Sequence, residues 1–210
     1  MDLKIYLERC PVIAILRGIK PAEAESIAAA LEKAGISIVE VPLNSPDPLE
    51  SISILSRAFG NRMLVGAGTL THPNQVAEIA QAGGRLIVTP HANAEIVRTA
   101  KALNLFAVPG FFNPTEAFTL LDAGADAIKL FPSEVLGIPM LKALMAVLPQ
   151  NTLVIPVGGI QASNIAPWLS AGAQGVGAGS SIYQPGDNAA TVQTKAQALV
   201  DAARAYKTNR

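Results

Sequence analysis

A lysine interrupts an otherwise apolar strand pattern in the second half of the chain. Lys129 lies in residues 125–132, Ala-Asp-Ala-Ile-Lys-Leu-Phe-Pro, a pattern typical of a parallel strand that runs into a loop opened by proline. An unpaired ammonium group there costs several kcal/mol or loses its proton. A desolvated lysine is a nucleophilic amine near neutral pH and can form a Schiff base with a carbonyl substrate. The alternative is a lysine whose stem packs while its ammonium group reaches solvent at the strand end.

Two further charged residues stand at or near the ends of apolar segments. Arg17 closes the segment 12–17, and Glu40 precedes the turn sequence Val-Pro-Leu-Asn-Ser. Buried charges near a strand end are expensive, and they are retained for function more often than for stability. The alternative is that Arg17 and Glu40 pair as a buried ion bridge between adjacent strands.

The elements that must position these residues follow one another in a regular alternation. Short apolar segments alternate with longer alanine-rich segments, with no linker or low-complexity stretch between them. The pattern predicts eight strands, and the dipeptide Ala-Gly precedes four of them as a repeated helix-to-strand turn. The predicted strands are residues 12–17, 36–41, 62–67, 85–89, 105–108, 125–130, 152–157 and 174–177.

This alternation predicts an α/β protein in which short right-handed crossovers join neighbouring parallel strands. Eight such units indicate one (β/α)8 TIM barrel formed by residues 1–210 as a single domain, with a helix at residues 2–9 capping its bottom. Further helices are predicted at residues 21–34 and 73–82. A doubly wound open sheet would need a Gly-rich dinucleotide loop after the first strand, and Leu16-Arg-Gly-Ile is not such a loop.

In a barrel of this kind the chemistry lies at the carboxyl ends of the strands. Arg17, Glu40 and Lys129 are the only charged side chains that the predicted strands direct toward that end. Two glycine-rich turns, Gly158-Gly159 and Gly179-Ser180-Ser181, follow the last two strands and lead into predicted helices. Backbone N–H groups and helix N-termini at these loops can face a phosphate. The alternative for each turn is an ordinary tight connection.

Composition excludes several classes of partner. Half of the residues, 50%, are hydrophobic, 15% are charged, and Lys+Arg and Asp+Glu balance at 16 each. Since no basic stretch could neutralise a nucleic-acid backbone and no apolar run reaches the roughly 18 residues of a membrane span, we expect neither nucleic acid nor membrane as a partner. Cys10 is the only cysteine, and the first ten residues lack the order of a signal peptide, so we expect a soluble cytoplasmic protein.

The residue types offer no metal site or cofactor fingerprint. The two histidines, His72 and His91, share no helix face and have no paired ligand spacing, and Cys10 is distant in sequence from the predicted mouth. No nucleophilic serine elbow is present. We therefore expect an enzyme that uses neither a metal nor a cofactor.

Seven motifs, in order along nearly the whole chain, resemble those of the class I 2-keto-3-deoxy-6-phosphogluconate and 2-keto-3-deoxy-6-phosphogalactonate aldolases. As a set they are highly specific, although any one would be unremarkable. They are Ile15-Leu-Arg-Gly18, Glu40-Val-Pro-Leu-Asn-Ser-Pro46, Gly66-Ala-Gly-Thr69, Val88-Thr-Pro90, Pro109-Gly110, Ala127-Ile-Lys-Leu-Phe-Pro132 and Val157-Gly-Gly159.

The resemblance implies a homotrimeric barrel that cleaves a phosphorylated 2-keto-3-deoxy sugar acid to pyruvate and glyceraldehyde 3-phosphate. It implies that Lys129 is the Schiff-base lysine and Glu40 the general acid and base. The substrate-binding residues that it implies are Arg17 for the pyruvate carboxylate, Thr69, Pro90 and Phe131 around the pyruvate pocket, and Gly158, Gly159, Gly179 and Ser180 for the phosphate.

The motifs leave the sugar acid open within the family. Asn44-Ser45-Pro46 is similar to the phosphogalactonate enzymes, whereas the phosphogluconate enzymes tend to carry an Arg-Thr pair. Phe111-Phe112-Asn113 departs from the smaller residues of that loop, and these aromatics either narrow the aldehyde side or pack against a neighbouring subunit. Two other classes stay open: an isomerase or epimerase that uses Glu40 on a phosphorylated sugar, and a phosphometabolite-binding protein without activity.

Overall fold

The structure, a computed structural model, describes residues 2–208. These residues form nine strands and nine helices, which alternate along the chain except that β6 follows β5 directly. The strands are β1 (Val12–Ile15), β2 (Ile38–Pro42), β3 (Leu64–Gly68), β4 (Leu86–Val88), β5 (Phe106–Val108), β6 (Gly110–Phe111), β7 (Ile128–Leu130), β8 (Val154–Pro156) and β9 (Val176–Ala178). The helices are α1 (Leu3–Arg9), α2 (Pro21–Ala34), α3 (Pro48–Phe59), α4 (Gln75–Gln81), α5 (Ala94–Ala102), α6 (Pro114–Asp122), α7 (Ser133–Met145), α8 (Ile165–Ser170) and α9 (Ala189–Thr208).

The strands form two parallel sheets. Six strands pair in the order β5-β4-β3-β2-β1-β9, and three pair in the order β6-β7-β8. Backbone contacts join the sheets on both sides: the N–H of Lys129 donates to the carbonyl oxygen of Pro109 over 2.8 Å, and Val157 forms a parallel bridge with Gly177. The predicted α/β class with parallel neighbouring strands is confirmed.

The predicted fifth strand differs from the structure in an informative way. It was expected at residues 105–108, but the chain continues past Pro109 into β6, which pairs with β7 instead of β4. Proline has no N–H and so cannot continue a ladder of hydrogen bonds. The prediction of eight strands is therefore wrong for residues 2–208, because one chain segment supplies a strand to each sheet.

Helix α2 shows how local sequence sets the boundaries. Pro21 occupies the first turn, where a missing N–H is not needed, and the N–H of Lys20 donates to Glu23 Oε1 over 3.0 Å. At the other end Gly35 adopts a φ of 96° and donates its N–H to the carbonyl of Glu32. Glycine takes this left-handed conformation without a steric penalty. The predicted helix at residues 21–34 is confirmed.

Side chains alternate between two buried clusters, as the strand period of two requires. In β1, Val12 and Ala14 belong to the large cluster shared with the flanking helices, whereas Ile13 and Ile15 belong to a smaller one. We call the face that bears this smaller cluster the inner face. Its other residues in strands or directly next to them are Ile38, Leu64, Leu86, Val88, Val108, Ala127, Ile155 and Val157, and α1 contributes Leu3, Tyr6 and Leu7.

Candidate active site

Strand alternation brings Glu40 and Lys129 to the inner face, and Arg17 lies beside the inner-face residue Ile15, in the turn that follows β1. Each follows an inner-face residue by two positions: Arg17 follows Ile15, Glu40 follows Ile38, and Lys129 follows Ala127. Because successive side chains of a strand point to opposite faces, residues two apart point the same way. The rows of apolar residues thus end in a cation, a carboxylate and an amine that face a common region.

Glu40 is a buried carboxyl group with an unsatisfied oxygen. Its side chain is 2% exposed, and Oε2 forms no hydrogen bond within the described part of the chain. Burial raises the pKa of Glu40 from 4.5 to about 7, although the nearby charges of Lys129 and Arg17 oppose the rise. Its pKa therefore lies near neutrality, where a carboxyl group can both take and give a proton.

A glycine makes room for this carboxyl group. A Cβ atom built on Gly68 would overlap both carboxylate oxygens of Glu40. Gly68 is the last residue of β3, beside β2, which carries Glu40. Any larger residue at position 68 would displace the Glu40 side chain, so Gly68 belongs to the site although it has no side chain to contribute.

Lys129 is also buried, with 6% of its surface exposed. The alternative of an ammonium group in open solvent does not describe this residue. Burial lowers the pKa of Lys129, Glu40 partly reverses that effect, and Arg17 adds to it. Its Nζ lies 4.6 Å from the centroid of the Phe131 ring. Lys129 is thus an amine whose uncharged, nucleophilic form is favoured by its surroundings.

Arg17 is bound by neutral partners and forms no ion pair. Its Nη1 donates to Asn44 Oδ1 over 2.7 Å, and its Nη2 donates to Thr69 Oγ1 over 3.4 Å. The four salt bridges among residues 2–208 include neither Arg17 nor Glu40, so the buried ion bridge considered for them is not formed. Thr69 has a φ of 61°, which is strained for a β-branched residue.

A cavity of about 540 Å³ adjoins this group of residues. It brings Arg17 together with the residues predicted to hold the phosphate: Gly158, Gly159, Gly179 and Ser180. Its remaining lining residues are Ile15, Val157, Ile160, Gln161, Gly177, Ser181 and Gln184.

The other predicted site residues lie outside this lining but contact its neighbours. Thr69 is bound to Arg17, and the Phe131 ring is beside Lys129. Pro90 lies against Gly110, where an added Cβ would be 2.7 Å from the Pro90 carbonyl carbon. Gly110 is the register partner of Lys129 in the β6–β7 pair, so Pro90 packs beside the lysine strand.

Side-chain hydrogen bonds hold the backbone carbonyl groups of the first glycine-rich turn, and one of these bonds comes from a serine of the second turn. Gly158 and Gly159 have φ angles of 113° and 65°. Ser133 Oγ donates to the Gly158 carbonyl over 2.8 Å, Asn164 Nδ2 donates to the Gly159 carbonyl over 2.8 Å, and Ser181 Oγ donates to the Ile160 carbonyl over 2.7 Å. Within residues 2–208 no acceptor binds the backbone N–H of Gly159, Ile160, Ser180 or Ser181. These four donors are available to an anion.

A helix follows each turn, as expected, but a loop separates the turn from the helix. Helix α8 begins at Ile165 and α9 at Ala189, six residues after Gly159 and nine after Ser180. Asn164 and Gln161 form a local turn before α8, because the N–H of Gln161 donates to Asn164 Oδ1 over 2.9 Å. An anion at these loops would therefore contact turn N–H groups instead of helix N-termini.

Neither His72 nor His91 lines the cavity, and the His91 carbonyl accepts a hydrogen bond of 2.6 Å from Thr89 Oγ1. In the part of the chain that the structure describes, no group of three or more His, Cys, Asp or Glu side chains could hold a metal ion. Among the same residues no helix is long and apolar enough to cross a membrane.

Sequence reasoning missed three contributors. Gly68 carried a signal, because a glycine two residues after Gly66 in β3 leaves the inner face open beside Glu40. Gln161 and Gln184 line the cavity from loops whose path the sequence does not reveal. No local pattern distinguishes them from surface glutamines.

Known proteins are similar to this chain over the whole fold and over the predicted site residues. The family model described as KDPG and KHG aldolase matches residues 3–197, which include every predicted site residue. The chain is 44% identical over 196 residues to the 2-dehydro-3-deoxy-6-phosphogalactonate aldolase of Escherichia coli (strain K12), covering 93% of this chain and 96% of that protein. It is 42% identical over 192 residues to the probable 2-dehydro-3-deoxy-6-phosphogalactonate aldolase of Rhizobium meliloti (strain 1021), with 91% of each covered. A solved structure described as native KDPGal superimposes with a TM-score of 0.93 at 44% identity, covering 94% of this chain and 96% of that one.

Proposed function

The chain belongs to the KDPG and KHG aldolase family, and from that premise we propose that it cleaves 2-dehydro-3-deoxy-6-phosphogalactonate to pyruvate and D-glyceraldehyde 3-phosphate in galactonate catabolism. The enzyme is an aldehyde-lyase. One observation carries the assignment of its mechanism: a buried amine and a buried carboxyl group, Lys129 and Glu40, share the inner face and are not joined in a salt bridge. Such a pair suits class I chemistry, which needs a neutral amine and a proton carrier beside it.

The reaction begins at Lys129. Its uncharged Nζ attacks the C2 carbonyl carbon of the keto acid, and the resulting carbinolamine loses water to give an iminium. The iminium draws electrons from the C3–C4 bond. When that bond breaks, its electron pair forms the C2–C3 double bond of an enamine, and the C4 hydroxyl becomes an aldehyde. The free carbanion is avoided because the positive nitrogen accepts the charge.

Glu40 carries the protons. Its carboxylate takes the proton of the C4 hydroxyl as the aldehyde forms, and its carboxylic acid returns a proton to C3 of the enamine. Water then adds to the iminium, pyruvate leaves, and Lys129 is regenerated. A pKa of about 7 leaves both protonation states of Glu40 populated at neutral pH, as both half-reactions require.

The other site residues hold the two ends of the substrate. The guanidinium of Arg17 offers a planar fork to the keto-acid carboxylate. Thr69, Pro90 and Phe131 enclose the pyruvyl portion. Phosphate binds the turn N–H groups of Gly158, Gly159, Gly179 and Ser180. Of these, the N–H groups of Gly159 and Ser180 have no acceptor within residues 2–208. The cavity joins both ends of this site, since Arg17 and the two turns line it together.

The choice of epimer rests on similarity and on one loop. Both relatives described above are named for the phosphogalactonate substrate. Asn44, which distinguishes this loop in the resemblance, is hydrogen-bonded directly to Arg17. We place 2-dehydro-3-deoxy-6-phosphogluconate second, because the two acids differ only in the configuration at C4.

The assembly we propose has four parts: a barrel closed from the two sheets in a single domain, α1 as its bottom cap, a homotrimer, and a cytoplasmic location. The contacts that join the two sheets and the packing of α1 on the inner-face cluster support the first two. Apolar side chains on consecutive βα units support a subunit interface, since Phe112 is 49% exposed and Val135 is 71% exposed. Cys10 is buried and is the only cysteine of the sequence, so its thiol cannot form a disulfide within the chain, which suits a reducing compartment.

Reductive trapping tests the mechanism. Pyruvate and borohydride should add one reduced pyruvate to the protein through a secondary amine, and peptide mapping should place it on Lys129. Lys142, an exposed lysine of α7, is the matched control, and Lys142→Ala should be trapped normally. Lys129→Arg should give no adduct. An unmodified wild-type protein, or an adduct on Lys142, would contradict the aldolase mechanism and favour an isomerase that uses Glu40 without a covalent intermediate.

A further inference from the structure

Two adjacent residues after β2 hold the loop that carries Arg17. Asn44 accepts a hydrogen bond from Arg17 Nη1 over 2.7 Å through its side-chain oxygen. Ser45, which is buried, accepts a hydrogen bond from the backbone N–H of Gly18 over 2.9 Å through its hydroxyl. One residue therefore contacts the guanidinium group while the next fixes the backbone directly beside it.

The chemistry of the Asn44 contact determines what Arg17 can do. Arg17 is exposed and extends from the end of a strand, so without partners its long side chain would populate several rotamers. A guanidinium has only donors, so an amide oxygen can orient it without cancelling its charge. A carboxylate at position 44 would instead form an ion pair and compete with an incoming carboxylate.

The Ser45 contact fixes the other half of the arrangement. Gly18 has a φ of 83°, and a Cβ atom built there would lie 2.8 Å from Pro185 Cγ. The N–H of Leu16 donates to the carbonyl oxygen of Glu40 over 3.0 Å. The backbone around Arg17 is thus held on one side by β2, which also carries Glu40, and is closely packed against Pro185.

We propose that Asn44 and Ser45 are positioning residues that act through Arg17 and set the affinity for the keto-acid carboxylate. This inference rests on the proposed function, because it takes Arg17 as the carboxylate ligand. Asn44 fixes the orientation of the Arg17 guanidinium group, and Ser45 fixes the position of the backbone at Gly18, directly after Arg17. Neither residue takes part in bond making or breaking.

Two ketones separate this role from a general structural one. Pyruvate and hydroxyacetone are both ketones that can form an iminium with the same lysine, and borohydride traps either one there. Pyruvate carries a carboxylate, whereas hydroxyacetone does not. The ratio of the second-order trapping rate constants for pyruvate and hydroxyacetone then reports the carboxylate contact alone, even in a partly unfolded preparation. Asn44→Ala should lower this ratio about tenfold, as expected for a lost hydrogen bond to a charged group. Ser45→Ala should lower it about threefold, since a neutral partner is lost.

Matched variants complete the experiment. Asn44→Asp should lower the ratio more than Asn44→Ala, because the new carboxylate pairs with Arg17. Asn61→Ala, an exposed asparagine that precedes β3, should leave the ratio unchanged. In an Arg17→Ala background, Asn44→Ala should have less than a twofold further effect, because residues that act through one group are not additive.

The outcomes are distinguishable. A wild-type protein that traps neither ketone overturns the proposed function itself. A protein that traps both, and whose ratio falls for Arg17→Ala but not for Asn44→Ala, overturns the positioning role and leaves the aldolase standing. An equal effect of Asn44→Ala with and without Arg17 also overturns it, because Asn44 would then bind the carboxylate directly.

Discussion

Replacing Glu40 by Gln should stabilise the protein at neutral pH while impairing its activity. Burial raises the pKa of Glu40 from 4.5 to about 7 in the folded state. Between these two pH values the unfolded chain has released this proton and the folded chain still holds it. The unfolded state then binds fewer protons, so the free energy of unfolding falls as the pH rises. Glutamine has no such proton to release.

The size of the effect follows from the same rise in pKa. One pKa unit corresponds to about 1.36 kcal/mol, so the buried carboxylate costs about 3 kcal/mol of stability once the pH exceeds 7. The free energy of unfolding of Glu40→Gln minus that of the wild type should increase by about this amount between pH 4.5 and pH 8. Removing the carboxylate also removes the charge that raises the pKa of Lys129, and any titration of Lys129 within this pH range would add to the difference with the same sign.

Urea unfolding at a series of pH values would measure this difference. Trp168 is the only tryptophan and is buried, so its fluorescence reports unfolding. Protein concentration is held constant, because the stability of the proposed homotrimer would depend on it. Glu25→Gln, which replaces an exposed glutamate of α2, should follow the wild-type profile. Parallel pH profiles for Glu40→Gln and wild type would refute the conclusion that the buried carboxyl group is held near neutrality.

Three further outcomes are expected. Glu40→Gln should reduce cleavage by about 10² to 10⁴ and slow exchange of the pyruvate methyl protons, which NMR in deuterated buffer measures; intact rates would assign Glu40 a structural role. The phosphogalactonate substrate should exceed its phosphogluconate epimer by about tenfold to 200-fold in kcat/KM, since one unpaired hydrogen-bonding group at C4 costs roughly 1 to 3 kcal/mol; the reverse order would refute the substrate assignment alone. Gly68→Ala should destabilise the protein by about 1 to 3 kcal/mol and reduce cleavage, because the new Cβ overlaps the Glu40 carboxylate. If the variant kept both the stability and the cleavage rate of the wild type, the Glu40 carboxyl group would be free to move.

Much of the fold follows from local patterns, and the departures have physical causes. Alternation of apolar and alanine-rich segments predicted parallel strands joined by helices, because each segment is short and each crossover follows directly. The strand boundaries were predicted less well: the first strand was expected to reach Arg17 and ends at Ile15. The residue at which a strand ends depends on the length of the neighbouring strand that it pairs with. A local sequence pattern does not give that length. Pro109 did carry a signal, since a residue without an N–H interrupts pairing wherever it falls.

The site residues that could be predicted are those whose burial follows from the sequence of a single strand. Glu40 and Lys129 could be identified because a charged residue stands among apolar ones, and period-two alternation then places each on the inner face. The partner of Arg17 could not be found in this way. Asn44 reaches it from the loop after a different strand, and Gln184 reaches the cavity from beyond the last one. Contacts between loops depend on how the strands are arranged relative to one another in the two sheets.

The buried acid and the buried amine become useful because no salt bridge joins them. A direct pair would hold both groups charged, whereas here burial outweighs the attraction between their charges, raising the pKa of Glu40 and lowering that of Lys129. The neutral acid and the neutral amine are therefore each favoured, and moving a proton between the two groups changes the free energy less than it would in water. Lys129 must lose a proton before it can attack and Glu40 must carry protons at two later steps, so pKa values that lie closer together than in water suit both roles. The stability that Glu40→Gln should recover above pH 7 is then a measure of how far the fold has moved this carboxyl group from its ordinary pKa toward the one that the chemistry needs.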